Sequence, residues 1–314
     1  MSRSAGLATL GSLVSLAGGC SAAAPRVGPS APPAALAQGD HTVVVDGVTL
    51  AYHVHGHGPV CIAHPGGPGL QWSYLRMPAV EADLTLVYLE PAGTGASSAL
   101  PAYTLARYAE LLEGFRAALG LPRPCVLGHS HGGYVVEHWA AAHPDHVGAL
   151  ILYATAGWHA EHEDTPGLAA YQAEPWFAAA MAARDREATI TTDAEADALL
   201  AAEWPLLFAD WTHHAEAYAR AVAGVHAAVG PLHAAATATG GWDVRPGLAA
   251  VHAPALVIVG AKDWITPPVR AEEIAKSIPG ATQVTLPASG HMGHVEEPAA
   301  FAAAIHGFAA KLPR

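Results

Sequence analysis

Short, continuous runs of apolar residues, each ending in a loop, are the feature that most constrains the fold of this chain. Such runs occupy residues 60–64, 84–89, 125–128, 149–153, 255–259 and 283–286. Runs of this length without polar alternation are typical of strands buried on both faces, as in a parallel sheet. Two earlier segments, 42–45 and 48–55, are joined by Asp46-Gly47 and predict a β-hairpin.

Helical patterns separate several of these runs. Apolar residues recur at helical spacing between Leu105 and Leu119, and again from Phe301 to Leu312, after Pro298. Alternating strands and helices predict an α/β fold, in which helices cover both faces of a mostly parallel sheet. Residues 157–246 contain no clear strand, and their Ala-rich pattern predicts a helical cap over the carboxyl edge of the sheet. The predicted core is therefore 40–156 together with 247–314.

The amino-terminal segment resembles a bacterial export signal. An apolar stretch too short to span a bilayer follows Arg3 and ends in small residues before Cys20. Because small residues before a cysteine resemble a lipobox, residues 1–20 are predicted to be a lipoprotein-type signal with lipidation at Cys20. Residues 21–39 are rich in Ala, Pro and Ser, which predicts a flexible linker. The alternative is a misassigned start on a cytoplasmic protein.

Composition excludes several classes of protein. The 52% apolar content excludes a disordered chain, and the net charge of −12, without a basic block, argues against nucleic-acid binding. Cys61 and Cys125 each lie in an apolar run, so both are predicted to be buried and unpaired. A disulfide between them is the alternative in an exported protein.

The strongest chemical signal is the segment Gly128-His129-Ser130-His131-Gly132. It follows a predicted strand and precedes a predicted helix, which is the setting of a G-x-S-x-G nucleophile elbow. Glycines are needed because the serine lies on a cramped turn, and the helix amino terminus favours developing negative charge. Ser130 is therefore predicted to be a nucleophile, with a Gly-rich structural turn as the alternative.

A serine nucleophile needs a base, and a base needs an acid that orients it. Asp263 and His291 follow later apolar runs, in the chain order expected after such an elbow. Both should lie at the carboxyl ends of strands, where open α/β sheets carry their sites. Asp243 is the rival acid and His294 the rival base, and Asp263 could instead be a helix N-cap.

An oxyanion hole requires two N–H donors. The backbone of His131, directly after the nucleophile, is predicted to supply one. The loop His64-Pro65-Gly66-Gly67-Pro68-Gly69 is predicted to supply the other, from Gly67 or else from Gly66, because glycine lets the main chain approach a ligand closely. The alternative is a plain turn.

Together these motifs resemble the α/β-hydrolase fold, in particular its proline iminopeptidase-like branch, over residues 41–312. The resemblance implies an eight-stranded, mostly parallel sheet with a helical cap, no cofactor, and hydrolysis of a small acyl substrate such as release of an N-terminal proline. Two segments depart from that branch: His131 replaces the usual tryptophan after the serine, and Glu90-Pro91-Ala92-Gly93 replaces an Asp-Gln-Arg-Gly-type loop.

An aminopeptidase must also bind an ammonium group, which requires carboxylates. In the predicted cap, Glu203 and Asp210 are candidates for this role, and Trp204 and Trp211 are candidates for an apolar wall. A solvated helix face and ordinary cap core are the respective alternatives.

The sequence thus predicts a serine hydrolase acting on a small molecule or short peptide, most specifically a prolyl aminopeptidase. A carboxylesterase or lactonase is the first alternative, and a surface lipoprotein that binds without turnover is the alternative of another class. His53, His55 and His57 lie on one face of a strand, but no carboxylate is near in sequence, so no metal site is predicted. The oligomeric state is left open.

Overall fold

A computed structural model describes residues 34–159 and 166–312. The proposed signal and Cys20 lie outside these residues. The strands are β1 Gly39–Val45, β2 Val48–Gly56, β3 Val60–His64, β4 Thr85–Leu89, β5 Cys125–His129, β6 Ala149–Tyr153, β7 Trp158–His159, β8 Trp242–Asp243, β9 Ala255–Gly260 and β10 Thr282–Leu286. The α-helices are α1 Leu105–Ala118, α2 His131–Ala142, α3 Phe177–Arg184, α4 Asp193–Glu203, α5 Trp211–Ala221, α6 Val229–Ala236, α7 Arg245–Leu248, α8 Pro268–Ser277, α9 Gly293–Glu296 and α10 Pro298–Ala309.

Eight of the strands form one sheet in the order β1-β2-β4-β3-β5-β6-β9-β10. Strand β2 is antiparallel to both β1 and β4, and every later pairing is parallel. This confirms the predicted mostly parallel eight-stranded sheet of an α/β fold. The parallel strands β3, β4, β5, β6 and β9 are buried along nearly their whole length because helices cover both faces, whereas the edge strand β10 is partly exposed.

The core consists of two apolar layers, one on each face of the sheet. Strand β6 shows how the sequence builds both at once, since successive side chains of a strand point to opposite faces. Leu150 and Leu152 lie in the layer that contains Trp139 of α2, whereas Ile151 and Tyr153 lie in the layer of α10. All four strand residues are fully buried.

Helices α3 to α6, together with short 3-10 segments, form the cap between β6 and β9. A capping box at Thr192 and Glu195 fixes the start of α4. The prediction that 157–246 contains no strand was wrong in one detail, because β7 and β8 pair as a two-residue antiparallel ribbon where the chain enters and leaves the cap. A pair this short leaves no pattern in the sequence.

The end of the predicted flexible linker belongs to the fold. Leu36 is only 6% exposed and packs in the core layer of α1, and Tyr52 Oη donates a hydrogen bond to the carbonyl oxygen of Ala35 at 2.9 Å. Strand β1 then begins at Gly39. The predicted linker of 21–39 was therefore too long at its carboxyl end, because the buried side chain of Leu36 anchors its last residues to the core.

Cys61 and Cys125 are paired as a disulfide, so the prediction that they are unpaired was wrong. The two residues are direct partners in the register of β3 and β5. Their sequence separation of 64 gave no indication that the sheet would place them side by side. Among the described residues, no helix has the length and apolar content needed to cross a bilayer.

Candidate active site

Ser130 lies between β5 and α2, on a strained turn. Its φ of 52° and ψ of −125° place it in the left-handed region, which side-chain-bearing residues rarely adopt. The N–H of Ser130 donates to the carbonyl of Tyr153, and its own carbonyl accepts from Thr155 Oγ1, each at 3.0 Å. These bonds to β6 and the loop that follows it hold the turn, so Ser130 is presented at the floor of a cavity.

Glycine is required on both sides of Ser130 because backbone segments pass close by. A Cβ atom on Gly128 would lie 2.7 Å from the carbonyl oxygen of Gly132. A Cβ atom on Gly132 would overlap the carbonyl oxygens of His64 and Pro65 in the loop after β3. The elbow therefore packs directly against the loop that was predicted to supply an oxyanion donor.

His291 and Asp263 form a buried pair at the ends of β10 and β9. The distance from His291 Nδ1 to Asp263 Oδ2 is 2.8 Å, and their side chains are 4% and 0% exposed. Asp263 Oδ1 accepts from the N–H groups of Ile265 and Thr266 at 2.9 and 3.0 Å, and Thr266 Oγ1 donates to Oδ2 at 2.8 Å. The carboxylate is therefore fixed and fully hydrogen-bonded, as an acid that orients a base must be.

Ser130 and His291 line the same cavity. The described residues include no hydrogen bond between Ser130 Oγ and His291, and such catalytic contacts commonly tighten only when substrate binds. The ring of His129, the residue before Ser130, lies 4.9 Å from the ring of His291. The three predicted residues thus gather at one edge of the sheet from widely separated segments.

The rival residues are engaged elsewhere. His294 uses both ring nitrogens, since Nδ1 bonds Tyr153 Oη at 3.0 Å and Nε2 bonds the carbonyl of Tyr74 at 2.8 Å. Asp243 lies in the β7–β8 ribbon and pairs with Arg245 at 2.7 Å. Neither arrangement suits a base or an acid for Ser130.

The predicted oxyanion donors differ in availability. The N–H of Gly66 already donates to Tyr74 Oη at 2.6 Å. Gly67 has a φ of +51° and lines the cavity, and its N–H bonds no other described residue. His131 is the first residue of α2, where a backbone N–H has no partner within the helix. Gly67 and His131 are therefore the donors free to face a ligand.

The cavity has a volume of about 680 Å³. Its walls are mostly aliphatic and aromatic, with Tyr108, Tyr134 and Trp242 among them. Two acidic residues, Glu187 and Glu203, face it from the cap. Burial, followed by the neighbouring Glu187 carboxylate, raises the pKa of Glu203 to about 8. The Glu203 carboxyl is therefore mostly protonated at neutral pH.

Of the four predicted substrate-binding residues, only Glu203 lines the cavity. Asp210 instead caps α5 and bonds His213, and the indole of Trp211 packs beside Phe208. Trp204 is 6% exposed and packs within the cap layer. None of these three side chains lines the cavity.

Glu296, which the sequence indicates only as a carboxylate before the helix that begins near Pro298, joins the cap to the loop of His291. Its Oε1 accepts from the N–H of Ala209 at 2.7 Å, and its Oε2 accepts from the N–H of Gly290 at 2.8 Å. Burial raises the pKa of Glu296 to about 7 despite these bonds. In the sequence it was indistinguishable from a carboxylate at a helix start.

Potential metal ligands are mostly engaged by other groups. In the described part of the chain, Glu113, His143 and His146 have ligand atoms within 4.8 Å of one another. However, Glu113 forms an ion pair with Arg116 and accepts from Trp139 Nε1 at 2.8 Å, so its oxygens are occupied. Of the three histidines predicted on one strand face, His57 lies beyond the end of β2, and His53 bonds Asp40 and Glu90 at 2.7 and 2.8 Å.

Comparisons with known proteins agree with this geometry. The sequence profile of the alpha/beta hydrolase fold family matches residues 59–298. A proline iminopeptidase from Pestalotiopsis fici is 26% identical over 266 residues, which are 81% of this chain and 94% of that protein. An enol-lactonase from Burkholderia xenovorans superposes with a TM-score of 0.67 at 25% identity, covering 86% of this chain and all of the other. A hydrolase from Pseudomonas aeruginosa superposes with a TM-score of 0.64 at 29% identity, covering 86% of this chain and 97% of the other.

Proposed function

The chain belongs to the alpha/beta hydrolase fold family, and we propose that it is a serine hydrolase that works by acyl transfer. The observation that carries the proposal is the buried His291–Asp263 pair, whose histidine lines the same cavity as the strained Ser130. A nucleophile, a base and an orienting acid in this chain order are the parts that acyl transfer requires.

In the proposed reaction, His291 Nε2 takes the proton of Ser130 as Oγ bonds to the substrate carbonyl carbon. The N–H groups of His131 and Gly67 stabilise the oxyanion. His291 then returns the proton to the leaving group as the bond to that group breaks, which leaves an acyl-serine. Water, deprotonated by His291, adds to the acyl carbon. The bond from that carbon to Oγ then breaks as His291 returns the proton to Oγ, which releases the acid and restores Ser130.

For the substrate we propose a small, neutral carboxylic ester or lactone. The cavity walls are largely apolar, and burial of Glu203 keeps its carboxyl mostly protonated at neutral pH. Such a pocket favours an uncharged acyl group over a cation. The similarity to an enol-lactonase at 25% identity supports the same class.

A prolyl aminopeptidase is the second candidate, favoured by the position of Glu203. Its carboxyl faces the cavity with Glu187 beside it, and an ammonium group that binds there would restore the charged form. The similarity to a proline iminopeptidase supports this candidate. Arg184, which also lines the cavity, opposes it by repelling a cation.

The test compares purified full-length protein with Ser130→Ala on p-nitrophenyl esters, lactones and proline p-nitroanilide. We expect turnover of esters or lactones that Ser130→Ala abolishes. Turnover of the anilide, lost in both Ser130→Ala and Glu203→Gln, would establish the peptidase instead. Equal rates in wild type and Ser130→Ala would refute the mechanism, and binding of these substrates without turnover would favour a binding lipoprotein.

We also propose that the protein is exported and lipidated at Cys20. The disulfide between Cys61 and Cys125 supports this proposal, because such bonds persist in oxidising compartments. Metabolic labelling with palmitate should mark the wild type and not Cys20→Ser. Label in neither protein, with both recovered in the cytoplasm, would contradict the proposal.

A further inference from the structure

A chain of buried hydrogen bonds passes directly beneath the proposed catalytic residues. The N–H of Gly66 donates to Tyr74 Oη at 2.6 Å, and Tyr74 Oη lies 2.8 Å from His129 Nδ1. On the far side of that ring, His129 Nε2 lies 3.1 Å from the carbonyl oxygen of His291. Both side chains are buried, with Tyr74 3% and His129 2% exposed. These hydrogen bonds therefore link the loop after β3, the elbow and the loop of His291.

The direction of every proton in this chain is determined. Tyr74 Oη accepts from Gly66, so its single proton is available to His129 Nδ1. Nδ1 then serves as an acceptor, and a neutral His129 carries its proton on Nε2, from which it donates to the carbonyl of His291. Burial, and to a smaller extent His291 and His294, holds the pKa of His129 well below its usual value, so the ring stays neutral.

A second histidine holds Tyr74 from the opposite side. His294 Nε2 donates to the carbonyl of Tyr74 at 2.8 Å, and its Nδ1 accepts from Tyr153 Oη at 3.0 Å. Burial lowers the pKa of His294 to about 4, which preserves this neutral arrangement. Both ends of Tyr74, its backbone carbonyl and its hydroxyl, are thus fixed by neutral imidazoles.

We propose that His129 and Tyr74 are positioning residues, which set the oxyanion loop and the His291 loop at fixed distances from Ser130. The proposal rests on the proposed serine hydrolase function. Its physical basis is that acyl transfer tolerates little error in these distances, since a misplacement of about 1 Å can cost about 100-fold in rate. Tyr153 Oη also lies 3.2 Å from the carbonyl oxygen of His291, but among the described residues only Tyr74 bonds the N–H of Gly66.

The first experiment compares Tyr74→Phe with the matched control Tyr88→Phe in the full-length protein. Tyr88 is also fully buried, and its hydroxyl likewise accepts from a backbone N–H, that of Met77, at 2.9 Å. It donates to Glu81 at 3.1 Å and does not line the cavity. We expect Tyr74→Phe to lower kcat on a p-nitrophenyl ester at least about tenfold, with KM changed less than about twofold. Tyr88→Phe should lower the melting temperature without lowering kcat.

The second experiment separates the effects of the two hydrogen bonds that the His129 side chain makes. Glutamine places an amide N–H near the position of imidazole Nε2, whereas leucine removes both bonds. His129→Gln should therefore recover part of the kcat that His129→Leu loses. When Tyr74→Phe is combined with a substitution of His129, the fold-loss in kcat should be smaller than the product of the two single fold-losses. The reason is that both side chains belong to the same series of hydrogen bonds.

A third measurement does not depend on turnover. The ¹⁵N chemical shifts of His129 should show a neutral ring protonated on Nε2, unchanged between pH 6 and pH 8. A proton on Nδ1, or equal kcat in Tyr74→Phe and Tyr88→Phe, would overturn the positioning proposal. Absence of Ser130-dependent turnover in the wild type would instead refute the proposed function. The two failures are therefore distinguishable.

Discussion

Replacement of Asp263 by asparagine should nearly abolish activity while leaving the fold intact. The reason lies in the unequal partners of the two carboxylate oxygens. Oδ1 accepts from two backbone N–H groups, whereas Oδ2 faces the hydroxyl of Thr266 and Nδ1 of His291. The hydroxyl can turn to accept a hydrogen bond, but the backbone groups cannot.

These partners decide how the asparagine amide must turn. If its NH₂ group faced the backbone, two buried N–H donors would lose their acceptor, at about 1–3 kcal/mol each. The NH₂ group therefore takes the position of Oδ2 and donates to His291 Nδ1. The proton of His291 then moves to Nε2, the atom that must accept the proton of Ser130. A base in this wrong tautomer should lower kcat on the order of 10⁴-fold, equivalent to about 5.4 kcal/mol.

The assay is ester hydrolysis under saturating substrate, with the melting temperature measured on the same samples. KM should change little, because the substituted group does not touch substrate. Asp243→Asn is the control, since Asp243 forms a partly exposed ion pair with Arg245 and should retain activity within about twofold. If folded Asp263→Asn keeps a tenth or more of wild-type kcat, the assignment of Asp263 as the orienting acid is refuted.

Three further predictions concern the elbow, the cavity and the disulfide. Gly128→Ala should destabilise the protein by about 1–3 kcal/mol in urea unfolding, because its Cβ would lie 2.7 Å from the Gly132 carbonyl oxygen; unchanged stability would show that the elbow can relax. If proline p-nitroanilide is a substrate, its KM should fall as pH rises from 6 to 8, because Glu203, with its pKa raised to about 8, ionises over that range; the same trend in Glu203→Gln would contradict this. Reduction of the Cys61–Cys125 disulfide, whose sequence separation is 64, should lower the free energy of unfolding by up to about 4 kcal/mol; peptide mass spectra of the untreated protein showing free thiols at both Cys61 and Cys125 would refute the pairing.

Much of the site could be predicted because its signals are local. The elbow around Ser130 combines a strand, a tight turn and a helix start within a few residues, and the strained turn demands glycine at fixed offsets. Asp263 and His291 follow two neighbouring parallel strands, β9 and β10, and the carboxyl ends of parallel strands meet at one edge of the sheet. The central parallel strands were predictable for a similar reason, since residues buried on both faces form apolar runs, whereas the number of eight strands came from the family resemblance.

The sequence by itself thus determined the strands of the main sheet, the elbow and the types of side chain available for chemistry, because each depends on neighbours along the chain. Only the tertiary structure decided which distant groups meet. It paired Cys61 with Cys125 across two strands, engaged the N–H of Gly66 with Tyr74, and moved Trp204 out of the cavity and into the cap core. Those outcomes depend on how the layers of the fold pack and on which buried polar atoms must find hydrogen-bond partners. Neither produces a periodic pattern in the sequence.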